Sequence, residues 1–218
     1  MRNIKKHLFV SFLAFLLSLI FYYSRSGWNT MHSLNRAFAD VALLFLIITM
    51  ILGPLSKFHP VFLRFLSWRR ELGIWCTIMV LLHLYILFKG WFYWEPIRLI
   101  IGVNQVTGQL DFDPGFTLAN LIGFVSLFYL LLLSLVSNTR SVKILGDKGW
   151  EHLQRQSGTL FVLVILHTTF FLFFFRFGQY NWLQKPFLVI IAAIFILKWA
   201  AFILTVKRNR PKNGREKN

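Results

Sequence analysis

Six long apolar segments, separated by short polar ones, dominate the pattern of hydrophobic and polar positions along this chain of 218 residues. A helix crosses the hydrocarbon core of a membrane with about 20 mainly apolar residues, and each segment is close to that length. We therefore predict an all-α integral membrane fold, a bundle of six transmembrane helices that forms a single domain over residues 1–206. The predicted spans are residues 7–23, 38–56, 72–93, 115–137, 156–176 and 186–206.

The composition agrees with this fold class. Hydrophobic residues make up 56% of the chain and charged residues only 15%, which is not the balance of a soluble domain. The connecting loops are too short to hold a soluble domain, and neither a GxGxxG motif nor a P-loop occurs. We expect no flavin or NAD(P)H domain in this chain, so such chemistry would belong to a partner. The single cysteine, Cys76, excludes an intrachain disulfide and a multi-cysteine metal site.

The distribution of positive charge predicts the orientation in the membrane. Seventeen of the 24 lysines and arginines fall at the N-terminus, in the second and fourth loops and in the tail, and loops rich in Lys and Arg are retained in the cytoplasm. We therefore predict that both termini are cytoplasmic and that the basic tail, residues 207–218, is disordered. The outer loop at 103–115 should be mobile or face a partner. Because the basic residues sit beside membrane spans, contact with lipid explains the net charge of +16 better than nucleic acid does.

Two histidines lie inside predicted spans at the same depth. His83 and His167 each follow the cytoplasmic start of their span by about 11 residues, or about 16 Å. Spans 3 and 5 run in the same direction, so the two imidazoles should lie at one level of the membrane. His7, His32 and His59 fall at interfaces or in loops, where a histidine has no special significance.

Several roles are open to two intramembrane imidazoles, because polar groups at this depth usually face a partner or a cavity. They could simply bond to neighbouring helices, serve a proton relay, hold a metal ion or hold a haem. A relay would recruit carboxylates, but all eight acids, Asp40 and Glu71 included, fall at predicted interfaces, in loops or in the tail. A non-haem metal prefers three or four ligands, whereas haem iron needs two axial ones.

Several short motifs resemble a known family. They are "ILGPLSKF" at the end of span 2, "RRELG" and "LLHLYIL" in span 3, and W-x-x-L at Trp150–Leu153 with "ILH" in span 5. In these motifs the chain resembles the ferric reductase-like transmembrane domain family. Within that family it is most similar to the small stand-alone bacterial branch of MsrQ type, over roughly residues 36–200.

The resemblance implies a membrane electron-transfer subunit of an oxidoreductase in the bacterial plasma membrane. His83 and His167 match the axial ligands of a b-type haem. A cytoplasmic flavin reductase, which would bring FMN, or a quinol would supply electrons, and the acceptor outside would be a partner protein or ferric iron. The alternative is a non-redox membrane protein, an assembly factor or small transporter, that keeps the fold without haem.

One position departs from the family pattern. MsrQ-like proteins usually carry a further histidine thirteen residues before the second ligand, and Gln154 stands there. We therefore expect one haem, with His152, together with His59, as the candidates for a second. Arg69, Arg70 and Arg155 flank the cytoplasmic ends of the haem spans, and Lys198 lies inside span 6. Arg70, Arg155 and Lys198 are candidate contacts for haem propionates or a quinone; otherwise the arginines are topological and Lys198 snorkels to the surface.

Overall fold

The protein crosses the membrane several times. The computed structural model describes residues 2–103, 110–175 and 181–209, and these residues contain six helical segments long and apolar enough to span a membrane. The predicted six-helix membrane fold is thereby confirmed. Seven α-helices build it: α1 (Arg2–Tyr23), α2 (Thr30–Phe58), α3 (Arg69–Leu87), α4 (Pro114–Leu135), α5 (Thr139–Arg155), α6 (Ser157–Thr169) and α7 (Gln184–Asn209).

Helix α2 begins eight residues earlier than predicted. The Asn29 side chain accepts a hydrogen bond from the Met31 N–H and caps the helix at Thr30. Arg36 and Asp40, which the sequence placed outside the membrane or at its edge, therefore lie within the second span. Glu71, predicted at an interface, is only 2% exposed in the first turn of α3.

The fifth span is preceded by a helix that the sequence analysis took for a loop. Helix α5 is amphipathic and bends at Gly146, where φ is +69°. The Trp150 indole N–H donates to the Val136 carbonyl and ties α5 to the end of α4. Helix α6 then begins at Ser157, one residue from the predicted start of span 5.

Both α3 and α6 end in a π-helical turn, at Phe88–Phe92 and Phe170–Phe174. Between α3 and α4, two-residue strands at Gly102–Val103 and Leu110–Asp111 pair antiparallel. The mobile loop predicted at 103–115 falls partly outside the described residues, at 104–109. Helix α7 continues to Asn209, so residues 207–209 of the predicted disordered tail are helical, and residues 210–218 lie outside the described residues.

Four helices form a ring at the centre of the bundle. Helix α2 packs against α3 and α6, and α4 also packs against α3 and α6, so that α3 and α6 occupy opposite corners without substantial contact. Helices α1 and α7 lie against the outside of α2. The core is lined by apolar side chains such as Val10, Phe45, Leu72, Leu160 and Phe161. Large apolar residues of α1, α4 and α7 remain exposed, as membrane lipid requires.

A buried ion pair fixes the start of α2. Arg25, predicted in an outer loop, is 3% exposed and donates from Nη2 to the Asp40 carboxylate at 2.5 Å. Its guanidinium also lies over the rings of Trp28 and Trp182. The pairing explains how an aspartate is accommodated inside a span, since each charge compensates the other.

Candidate functional site

His83 is held by a reciprocal pair of hydrogen bonds between α3 and α2. Its ring nitrogen Nδ1 lies 3.1 Å from the Asn35 carbonyl oxygen. In return, the Asn35 side-chain amide donates to the His83 carbonyl oxygen, also at 3.1 Å. Asn35 is 5% exposed, so these bonds are shielded from water. The two contacts fix both the position of the imidazole and the register of α3 against α2.

His167 is likewise held by a main-chain carbonyl, between α6 and α4, but by one hydrogen bond among the described residues rather than a reciprocal pair. Its Nδ1 lies 2.8 Å from the Ala119 carbonyl oxygen. The ring packs against Gly123, where an added Cβ would lie 2.6 Å from Nδ1 and 2.7 Å from Cε1. An ordinary contact would be 3.4–4 Å. Glycine at position 123 is therefore what leaves room for this imidazole beside α4.

These contacts fix the tautomer of both imidazoles. A carbonyl oxygen only accepts hydrogen bonds, so Nδ1 of each ring must carry the proton and donate. The lone pair of the neutral ring then lies on Nε2, for which no hydrogen-bond partner is found within the described parts of the chain. Each imidazole can thus offer Nε2 as a ligand.

The two halves of the ring repeat one arrangement. The helix caps, the carbonyl acceptors and the histidines recur 84 positions apart: Asn29 and Asp113, Asn35 and Ala119, His83 and His167. In both halves the histidine lies 48 positions after its acceptor. Residues 69–83 and 154–167 are also weakly similar in sequence. Each half contributes one imidazole from one corner of the ring.

Arg36 is a charged residue of α2 that sequence analysis did not single out as a site residue. It interacts electrostatically with both histidines, and the His83 and His167 rings also interact with each other. The Arg36 guanidinium donates to the Phe171 carbonyl oxygen at 3.3 Å. The Phe171 ring in turn lies 4.9 Å from the His167 ring. No sequence signal identifies Arg36, because the role of its neighbour Asn35 as acceptor exists only in the folded chain.

The other candidate residues lie apart from the two histidines. His152 is exposed on α5, and His59 is exposed and caps the 3₁₀ helix Pro60–Trp68 through Nδ1. The Gln154 side-chain amide donates to the Ser137 hydroxyl at 3.3 Å and joins α5 to α4.

The candidate cations lie on the same side of the bundle as α5. Arg70 is exposed. Arg155 is exposed and pairs with Glu151 on the surface. Lys198 is half-buried, with Nζ 4.9 Å from the centre of the Phe161 ring. Arg70 and Arg155 are 13 and 12 residues from the histidines of their spans, or about 18–20 Å along a helix.

The donor set is small. Within the described residues, no group of three or more His, Cys, Asp or Glu side chains could hold a metal ion. Two imidazoles alone suit a metal whose remaining ligands come from a prosthetic group. No protein-family model matches the chain, so the resemblance to the ferric reductase-like family stays a prediction.

Proposed function

We propose that this protein is a b-type haem-binding membrane electron-transfer subunit of an oxidoreductase. The observation that carries the proposal is the matched pair of imidazoles, each with Nδ1 bonded to a backbone carbonyl and Nε2 without a partner among the described residues. Histidines that bind metals almost always donate their other ring N–H to a carbonyl, a carboxylate or water, which fixes the ring and makes it a better ligand.

The residues around the histidines fit a bis-histidine haem. His83 and His167 lie on helices at opposite corners of the ring, and their Nε2 atoms would hold the iron. The Asn35 and Ala119 carbonyls orient the rings, and Gly123 gives the His167 ring its space. When bound, haem b supplies one-electron transfer through its iron. The positive charge of Arg36 favours the state with the added electron, because opposite charges attract.

The repeat argues for one haem rather than two. Gln154 stands where MsrQ-like proteins usually carry a further histidine. In the first half of the repeat, 84 positions earlier, the equivalent residue is Arg70. Neither side chain supplies an imidazole, and Gln154 is engaged by Ser137. His152 and His59, the candidates for a second haem, are both exposed. Contacts of Arg70, Arg155 or Lys198 with propionates or a quinone stay predictions.

The charge distribution predicts the orientation of the bundle, and the resemblance to the ferric reductase-like family implies the direction of electron flow. The basic side of the bundle, which carries the α2–α3 connection, α5 and the end of α7, faces the cytoplasm in this proposal, as do both termini. A flavin reductase or a quinol would donate electrons there, and a protein or ferric iron would accept them outside. The host membrane would be a bacterial plasma membrane.

The test is a reduced-minus-oxidised spectrum with haem quantitation by pyridine haemochrome. It compares the wild type with the His83→Ala, His167→Ala and His152→Ala variants, each purified from cells supplied with haem. We expect one b-type haem per chain, lost in the first two variants and kept in the third. Size-exclusion elution like that of the wild type checks that each variant is folded.

A colourless wild type would refute the proposal. The two histidines would then be satisfied polar groups between helices, as their carbonyl bonds alone would allow, and the non-redox alternative would stand. Haem retained at full occupancy in both His83→Ala and His167→Ala would likewise refute this ligand pair, because the iron would have to be held elsewhere.

A further inference from the structure

Lys198 is a cation in the middle of a membrane helix. It precedes the end of α7 at Asn209 by 11 residues, or about 16 Å along the helix. The side chain is half-buried, and Nζ lies over the ring of Phe161, which is itself only 1% exposed. A cation at this depth is costly unless something compensates its charge.

No carboxylate provides that compensation in the described part of the chain. The ion pairs found there are Arg25–Asp40, Arg98–Glu95 and Arg155–Glu151, and none of them involves Lys198. The charged residue that interacts electrostatically with Lys198 is another cation, Arg69, at the start of α3. Arg69 has no acidic partner among these residues either. Lys198 is half-buried on α7 and Arg69 is exposed at the start of α3, and neither cation has an acidic partner in the described part of the chain.

The place is open to the bilayer. Side chains on the same helix next to Lys198 are strongly exposed: Phe195 by 48%, Trp199 by 71% and Phe202 by 64%. These apolar side chains mark the lipid-facing surface of α7, so a lipid can reach Lys198 laterally. Basic pockets between membrane helices on the cytoplasmic side are a recurrent way of binding acidic lipid headgroups.

We propose that Lys198 and Arg69 form a binding site for the phosphate groups of an anionic phospholipid in the leaflet on the basic side of the bundle. A diphosphate lipid such as cardiolipin matches the two cations in charge. Its acyl chains would lie along the exposed surface of α7 beside Trp199 and Phe202. The site is independent of the haem and would bridge α7 to α3.

The test is native mass spectrometry of the detergent-purified protein titrated with cardiolipin or with zwitterionic phosphatidylcholine. The variants are Lys198→Gln, Arg69→Gln and Lys198→Arg, and the matched control is Lys185→Gln, which removes one charge from the other end of α7. Each lost cation should weaken cardiolipin retention by about fivefold. Lys198→Arg and Lys185→Gln should retain it like the wild type, and phosphatidylcholine retention should not change.

Cardiolipin retention equal in all variants would overturn the site. The site is also overturned if Lys185→Gln weakens retention as much as Lys198→Gln, because the effect would then be a matter of net charge. If Lys198→Gln lowers the haem content and leaves lipid retention unchanged, the partner of Lys198 is a haem propionate and the lipid site is refuted. The two outcomes that concern lipid retention alone do not depend on whether the wild type contains haem.

Discussion

Replacing Gly123 with alanine tests the histidine geometry most directly. The new Cβ would lie 2.6 Å from the His167 Nδ1, about 0.8 Å closer than the shortest ordinary contact of 3.4 Å. The helices on either side are packed, so the imidazole must move and its bond to the Ala119 carbonyl must lengthen or break. We therefore expect Gly123→Ala to weaken haem binding while the helices still form.

The magnitude follows from two costs and one gain. Overpacking a tight contact costs about 1–3 kcal/mol, and leaving a buried donor and acceptor unpaired costs about 1–3 kcal/mol. The higher helix propensity of alanine offsets these costs by about 1 kcal/mol. A net loss of about 1–5 kcal/mol corresponds to a roughly 5- to 5,000-fold weaker association with haem.

The assay is a spectral titration of haem-depleted protein with haemin, made on the wild type, Gly123→Ala and Gly158→Ala. Gly158 is the matched control, because it lies on α6 and an added Cβ there meets nothing within 4 Å. Gly158→Ala should bind haemin like the wild type. Wild-type affinity and an unchanged spectrum in Gly123→Ala would refute the reasoning, since the His167 ring could not then be both a ligand and in contact with residue 123.

Two further predictions concern charged residues inside the second span. Asp40→Asn leaves Arg25 buried without a counter-charge and should lower the free energy of unfolding by about 3–5 kcal/mol, measured by denaturant titration in detergent. Glu151→Gln, which breaks an exposed pair, should change it by about 1 kcal/mol or less, and equal effects would contradict the burial argument. Arg36→Gln should lower the haem midpoint potential by on the order of tens of mV, as expected for the removal of one nearby positive charge in a medium of intermediate dielectric constant. Redox titration checks this against Arg36→Lys, which keeps the charge, and against Arg98→Gln on the surface; a shift of equal size in Arg98→Gln would contradict a local effect.

Much of the fold could be predicted because crossing a membrane imposes a length and a composition on each helix. The spans at 72–93 and 115–137 match α3 with its π-helical turn and α4 to within a few residues. The start of α2 was predicted wrongly because a hydropathy scale scores each residue by itself, and Arg36 therefore counts against a membrane span. The ion pair with Arg25 that makes Asp40 tolerable inside a helix exists only in the folded chain.

The site was predictable in one respect and hidden in another. His83 and His167 were detectable as isolated polar residues in apolar helices, and counting from the span starts predicts one depth for both. Gly123 could not be identified as a site residue, because its importance comes from its contact with His167, which lies 44 positions later in the chain. The amphipathic helix α5 was missed because its lysines and arginines look like those of a loop.

The groups that orient the two imidazoles are main-chain carbonyls, and this affects how the protein responds to genetic change. Substitution at residue 35 or 119 alters the side chain but leaves the acceptor oxygen in place, provided that the helix forms and the new side chain fits. Loss-of-function mutations should therefore gather at the histidines and at Gly123 rather than at the acceptor positions. This tolerance should be greater at residue 119 than at residue 35, because the Asn35 side-chain amide also donates to the His83 carbonyl.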